Sequence, residues 1–183
     1  MSSAYRIEKD SMGEVKVPKA ALYGAQTQRA VDNFPVSGIC ISRPLIHALG
    51  VIKQGAAKVN AEMDNIPEDV AHAIQLAAQE VIDGKLDEHF PIDIYQTGSG
   101  TSSNMNANEV IAHRAMELVP DLSVKVHPND HINFGQSSND TFPTAIRIAG
   151  YIEAKNVLIP VLKFLRETFL KKGAEYSHVV KTG

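Results

Sequence analysis

Residues 144–172 read TAIRIAGYIEAKNVLIPVLKFLRETFLKK, and the fold turns on this stretch. Ile148, Ile152, Ile159 and Leu162 recur at helical spacing, with Leu158, Leu165 and Phe169 beside them, so one long helix is expected from Thr144 to about Lys172. At 1.5 Å per residue it would run about 40 Å. Pro160 removes a backbone donor and is expected to kink or divide it. Val157, Val161 and Phe164 widen the apolar face, and such a face needs neighbours on more than one side. The expectation is an all-α, mainly helical chain whose long helix starts a bundle, completed by other copies or by other segments.

Two polar segments lie upstream: Gly98-Ser99-Gly100-Thr101-Ser102-Ser103-Asn104-Met105-Asn106 and Gly135-Gln136-Ser137-Ser138-Asn139-Asp140. Both run into helices, the first from about Asn106 to Val119, where Pro120 stops it. Read as loops, they offer hydroxyls, amides and the free N–H groups of a helix start, where the dipole adds positive charge. That is chemistry for holding an anion, a carboxylate as well as a phosphate. Ser, Thr and Asn also favour helix caps for purely local reasons. Two such segments together could grip both ends of a small dicarboxylate.

Toward the amino terminus, residues 5–8 and 14–17 alternate apolar with charged around Asp10-Ser11-Met12-Gly13, which predicts a short β-hairpin closed by Pro18. Gln26, Thr27, Gln28 and Arg29 could contact a ligand or a neighbouring subunit, but surface polar residues look the same, and that reading is favoured. Ser42 can cap a helix with Pro44 in its first turn and Leu45, Ile46, Leu49, Ile52, Ala56, Val59 and Met63 on one face. Gly50 and Gly55 weaken that helix unless close packing needs them. Pro67-Glu68-Asp69 opens another along Val70, Ile74, Ala77, Ala78 and Val81, ended by Gly84. Residues 85–96 read as irregular, anchored by Phe90, Pro91, Ile92, Ile94 and Tyr95. A soft boundary near 135–143 separates an amino-terminal helical unit, 1–140, from the start of a bundle domain, 141–183.

With 44% hydrophobic and 21% charged residues, the 183-residue chain has an ordinary globular composition and room for one core. Eighteen basic and 21 acidic residues leave a net charge of −3, which argues against a nucleic-acid surface. Cys40 stands alone, so neither an intramolecular disulfide nor a thiolate metal cage can form. No stretch reaches the roughly 20 apolar residues of a membrane span, and no secretory signal is visible over residues 1–10. A cytoplasmic location is expected.

His127-Pro128-Asn129-Asp130-His131 sets two histidines four apart, but Pro128 opposes the helix that would bring them to one face. A polar turn with a loose anion contact through His127 and Asn129 is expected there, without a metal. Ser99, Ser137 and Ser138 stand in no nucleophile motif such as G-x-S-x-G, and the glycine-rich segment lacks the ending of a phosphate loop. These serines read as binding and electrostatic groups, not as nucleophiles.

GSGTSSNMN followed by NEVIAHRA, then HPNDHINFGQSSNDTFPTA, resembles class II fumarase of the fumarase/aspartase superfamily, and MGEVKVPKAALYGAQTQRAVDNFP is similar to that family's amino-terminal segment. The serine of GSGT and the paired serines of SSND resemble fumarase more than aspartase. The resemblance implies reversible hydration of fumarate to L-malate with no metal or organic cofactor. It also implies an all-α homotetramer with a central helical bundle and active sites built from three chains. Substrate-carboxylate contacts are implied at Ser99, Gly100 and Thr101 and at Ser137, Ser138 and Asn139. A secondary carboxylate site is implied at His127, Pro128, Asn129 and Asp130, where Val124 stands in place of a frequent arginine, with Lys125 next to it.

Val179-Val180-Lys181-Thr182-Gly183 resembles the approach to the family's G-R-T-H motif. The rest of that motif, and the later GSSxMPxKxNP loop with its catalytic serine and lysine, are expected beyond Gly183. No catalytic residue is therefore expected within this chain, and alone it is expected to be inactive. Two other readings compete: aspartate ammonia-lyase of the same superfamily, using the same carboxylate grips, and a non-catalytic helical module that binds dicarboxylates or docks through its long helix.

Overall fold

A computed structural model describes residues 4–183, so the sequence reading of residues 1–3 lies outside it. Strands β1 (Tyr5–Asp10) and β2 (Gly13–Pro18) pair antiparallel, from Tyr5 opposite Pro18 to Asp10 opposite Gly13, and form the expected hairpin. The Asp10 carboxylate fixes its turn by accepting from the Met12 N–H and from the Arg29 guanidinium. The helices are α1 (Ala25–Asn33), α2 (Arg43–Glu62), α3 (Glu68–Ile82), α4 (Thr101–Leu118), α5 (Ser138–Glu153) and α6 (Ile159–Glu175). None of them is long and apolar enough to cross a membrane, among the described residues.

Helix α2 packs on α3 and α5, α3 on α4, and α4 on α5, and the apolar core lies among them. The predicted face of α3 is fully buried at Val70, Ile74, Ala77, Ala78 and Val81. Gly50 is needed for close approach, since a side chain there would press on Val81 and Ile82. Gly84, with φ +80°, ends α3 in a left-handed turn that other residues adopt at a cost.

Three expectations are corrected. Val59 of α2 and Met63, just past its end, are exposed, and the buried row of α2 is Ile46, Leu49, Lys53, Ala57 and Asn60. Ser42 occupies the N-cap position without a side-chain cap bond. Ile94 and Tyr95 are exposed, whereas Phe90 and Ile92 are buried, because Asp93 takes the interior place between them. Burial works against the Asp93 charge, but the N–H groups of Tyr95, Ser37 and Gly38 and the Ser37 hydroxyl outweigh it and hold its pKa at about 2.

Helix α1 leaves Gln26 exposed, as a surface residue should be, but overturns the surface reading at Thr27. Thr27 is fully buried, and Arg29 is paired with Asp10. The cap of α1 is tertiary: the Glu109 carboxylate of α4 accepts the N–H groups of Gly24, Gln26 and Thr27 at 2.9, 2.9 and 3.0 Å. Nothing local in residues 20–33 announces it.

The long helix starts at Ser138, earlier than its apolar spacing indicated, because the Ser137 hydroxyl accepts the Asn139 N–H and caps it. Helices α5 and α6 form one rod through a π-helical turn, Ala154–Leu158, placed directly before Pro160. A wider turn accommodates the missing donor and the ring of proline, so the helix is carried through. Val157, Leu158, Ile159, Val161, Leu162, Phe164, Leu165 and Phe169 are all exposed.

Replacing Glu109 by alanine leaves three N–H donors at the start of α1 without their acceptor and is expected to cost about 3 kcal/mol, with glutamine costing less. Urea unfolding of both variants checks this, and equal stability of Glu109→Ala and the parent would refute the tertiary cap.

Candidate carboxylate site

Helix α4 begins at Thr101, not near Asn106, so most of the first polar segment is helix and not loop. Ser103, Asn104 and Asn106 are fully buried in it. Two residues just upstream cause the early start. Gln96 Oε1 accepts both the N–H and the hydroxyl of Ser103, each at 2.9 Å, and Thr97 Oγ1 accepts the Ser102 N–H at 3.2 Å. These bonds use helix-start donors that the loop reading left for a ligand. In the first turn the Thr101 N–H keeps no protein acceptor among the described residues.

Gly100, the N-cap, is required twice over. Its φ of +70° is left-handed, and a Cβ there would overlap the ring of Phe142 from α5. This contact presses the first polar segment against the second.

What stays available is a set of hydroxyl protons. Ser99 Oγ and Thr101 Oγ1 are 2.8 Å apart, so one donates to the other and one proton is left over. Ser138 Oγ accepts from Asn104 Nδ2 at 2.9 Å, which leaves its own proton free to donate. The exposed Asn139 side chain makes no hydrogen bond among the described residues, while its N–H caps onto Ser137. The structure thus brings the two segments together at one point, Asn104 against Ser138, where the first turns of α4 and α5 meet.

A residue that sequence reading passed over holds this junction. Lys53 of α2 is fully buried and donates to Asn133 Oδ1 at 3.0 Å and Gln136 Oε1 at 2.9 Å. Asn133 Oδ1 also accepts from Asn104 Nδ2 at 3.0 Å. Burial pushes the Lys53 amine down to about 7. Its one sequence signal is position: it falls on the helical row of Ile46, Leu49 and Ala57.

The histidine turn is a separate place. Pro128–Ile132 forms a π-helical turn. The Asp130 N–H donates to His127 Nδ1 at 3.3 Å, and the His127 N–H donates to His131 Nδ1 at 2.8 Å. His127 and Asn129 line a cleft of about 440 Å³ together with Gln26, Glu109, His113 and Lys125. No hydrogen bond among the described residues joins His127, Asn129 or Asp130 to Ser99, Thr101, Ser138 or Asn139. Val124 is exposed.

A mainly helical body with a long protruding helix, and hydroxyl-rich segments meeting at its base, is an architecture with known members. The chain belongs to the lyase family, which matches residues 13–183. It is 56% identical over 182 residues to the class II fumarate hydratase of Xylella fastidiosa, covering all of this chain and 38% of that protein. To the class II fumarate hydratase of Halobacterium salinarum it is 51% identical over 185 residues, covering all of this chain and 39% of that one. Among solved structures, the class II fumarase of Schistosoma mansoni superposes with a TM-score of 0.92 at 40% identity, over 98% of this chain and 38% of that chain. The chain thus spans about two fifths of the length of these relatives.

Two outcomes follow from this geometry. Gly100→Ala is expected to destabilise strongly in the parent and by only about 1–2 kcal/mol in a Phe142→Ala background, where the strained φ alone remains; equal costs in the two backgrounds would rule out the ring contact. For Lys53, the folded value of about 7 lies below the ordinary 10.5. Between those values unfolding takes up a proton, so this group makes stability rise with pH across that window, by at most about 1.4 kcal/mol per pH unit, and contributes no slope below it. Unfolding free energies of the parent minus Lys53→Met, measured through that range, test the sign.

Proposed function

We propose that these residues form the carboxylate-gripping part of a fumarate hydratase, which adds water to fumarate to give L-malate and reverses the reaction. The observation that carries the reading is the contact of Asn104 with Ser138, which sets the two hydroxyl-rich segments side by side with hydroxyl protons left free to donate. The names of the relatives support the same substrate pair.

In the malate direction of approach, a base takes a proton from the carbon next to one carboxylate, and that carboxylate gathers negative charge before hydroxide leaves as water. Fixed donors aimed at it stabilise the transition state more than the ground state. In this reading Ser99, Gly100 and Thr101, with the free Thr101 N–H, hold one carboxylate. Ser137, Ser138 and Asn139 at the start of α5 hold the other, and His127, Pro128, Asn129 and Asp130 offer a secondary carboxylate contact in the neighbouring cleft. We place the groups that move the proton outside residues 1–183. In support, no histidine or carboxylate among the described residues bonds to Ser99, Thr101, Ser138 or Asn139.

The exposed apolar face of the long helix supports a homotetramer in which residues 141–183 enter a central bundle while residues 1–140 form an outer unit. No metal or organic cofactor enters this mechanism.

In the full-length enzyme, Thr101→Val and Asn139→Ala are each expected to lower kcat by about 10² to 10³ while thermal unfolding stays that of the parent. Loss of fumarate absorbance in steady-state assays reads the effect. Normal kinetics in both variants would remove these residues from the site.

A further inference from the structure

We propose that Lys53 is a positioning residue of the two-segment site: its buried amine ties the 133–137 turn to α2 and, through that turn, sets where Ser138 meets Asn104. The inference rests on reading the two segments as a carboxylate grip.

A lysine is costly to bury, and one kept for stability alone would stand beside an acid or be replaced by a methionine of similar reach. Lys53 has neither solvent nor a carboxylate partner among the described residues. Both of its bonds instead end on one turn. That turn is closed on itself by Asn133 Nδ2 donating to Gln136 O at 3.1 Å and Gln136 Nε2 donating to Ile132 O at 2.9 Å. A second bond from α2, Asn60 Nδ2 to Phe134 O at 3.2 Å, reinforces it. Asn133 Oδ1 then accepts from Lys53 and Asn104 at once, and the other Asn104 bond goes to Ser138. The chain of contacts thus runs from the amine to a hydroxyl whose proton is free for a ligand.

Proton count sharpens the role. A neutral amine carries two N–H groups, and two amide oxygens lie within reach; an ammonium carries a third with no acceptor. No carboxylate, histidine or other amine of α2, α3, α4, α5 or the 127–137 segment bonds to Lys53. With the amine at about 7, acid adds an unmatched donor at the centre of the turn and loosens it.

The test uses the full-length enzyme and its Lys53→Met variant, with kcat and KM for fumarate followed from about pH 6 to about 9, thermal unfolding, and amide hydrogen exchange across residues 133–139. The expected result is a KM raised about tenfold above pH 7, no loss of unfolding temperature, and faster exchange in that segment. The parent should also show KM rising below about pH 7, a step absent from the variant. Gln136→Met breaks the same contact from the turn, with the lysine intact, and should raise KM in the same direction by a smaller factor; it decides the matter if Lys53→Met does not fold. Unchanged KM with an unchanged pH profile overturns the proposal, as does a lower unfolding temperature with unchanged KM. If the parent itself fails to hydrate fumarate, the functional reading falls separately. Exchange across 133–139 in Lys53→Met then judges positioning alone: faster exchange upholds it, unchanged exchange overturns it.

Discussion

A primary amine without solvent is the constraint on which the site depends. Lys53 brings a polar group into a row of α2 that is otherwise Ile46, Leu49 and Ala57, and that group must find acceptors inside. It finds them on Asn133 and Gln136, so the turn before α5 is drawn onto α2 and the start of α5 is placed beside the start of α4. Buried amides complete the arrangement. Asn104 and Asn60 each spend a side-chain donor on the same turn. A hydrophobic core alone would hold these helices together without specifying where the hydroxyls fall; a network of directional bonds specifies it.

Much of the fold was legible because it depends on spacing. The β1–β2 hairpin, the α3 face from Val70 to Val81 and the long apolar helix all follow from period and punctuation, and the structure keeps them. What escaped depends on partners distant in sequence. Helix α1 needs the Glu109 carboxylate from α4, and α4 starts early because Gln96 and Thr97 cap it. A segment rich in Ser and Asn was read as loop because those side chains compete with the backbone in isolation. Here Gln96, Asn133 and Ser138 engage Ser103 and Asn104, and the same residues become buried helix.

The candidate site shows the same division. Motifs marked Ser99, Thr101, Ser138 and Asn139 as chemically interesting, and donors at two helix starts suited an anion. Their convergence could not be seen along the chain, since it passes through Lys53 and Asn104, which a polarity pattern assigns to a surface and a loop. Composition counts a lysine as solvated; only its helical row, between Leu49 and Ala57, hinted otherwise.

The long helix adds a mechanical consequence. Its first residue, Ser138, is fixed in the junction by Asn104, while from Val157 onward its large apolar side chains are exposed. One continuous helix therefore joins the proposed carboxylate-gripping end to an exposed apolar face. At the π-helical turn Ala154–Leu158, directly before Pro160, the hydrogen bonding changes while the helix continues into α6. Any partner packed on the distal face constrains the same element that presents Ser138, so assembly and site geometry act on a shared helix. The two requirements are met at opposite ends by different chemistry, directional bonds at the base and apolar area along the shaft, and neither can be altered by reorienting the helix without disturbing the other.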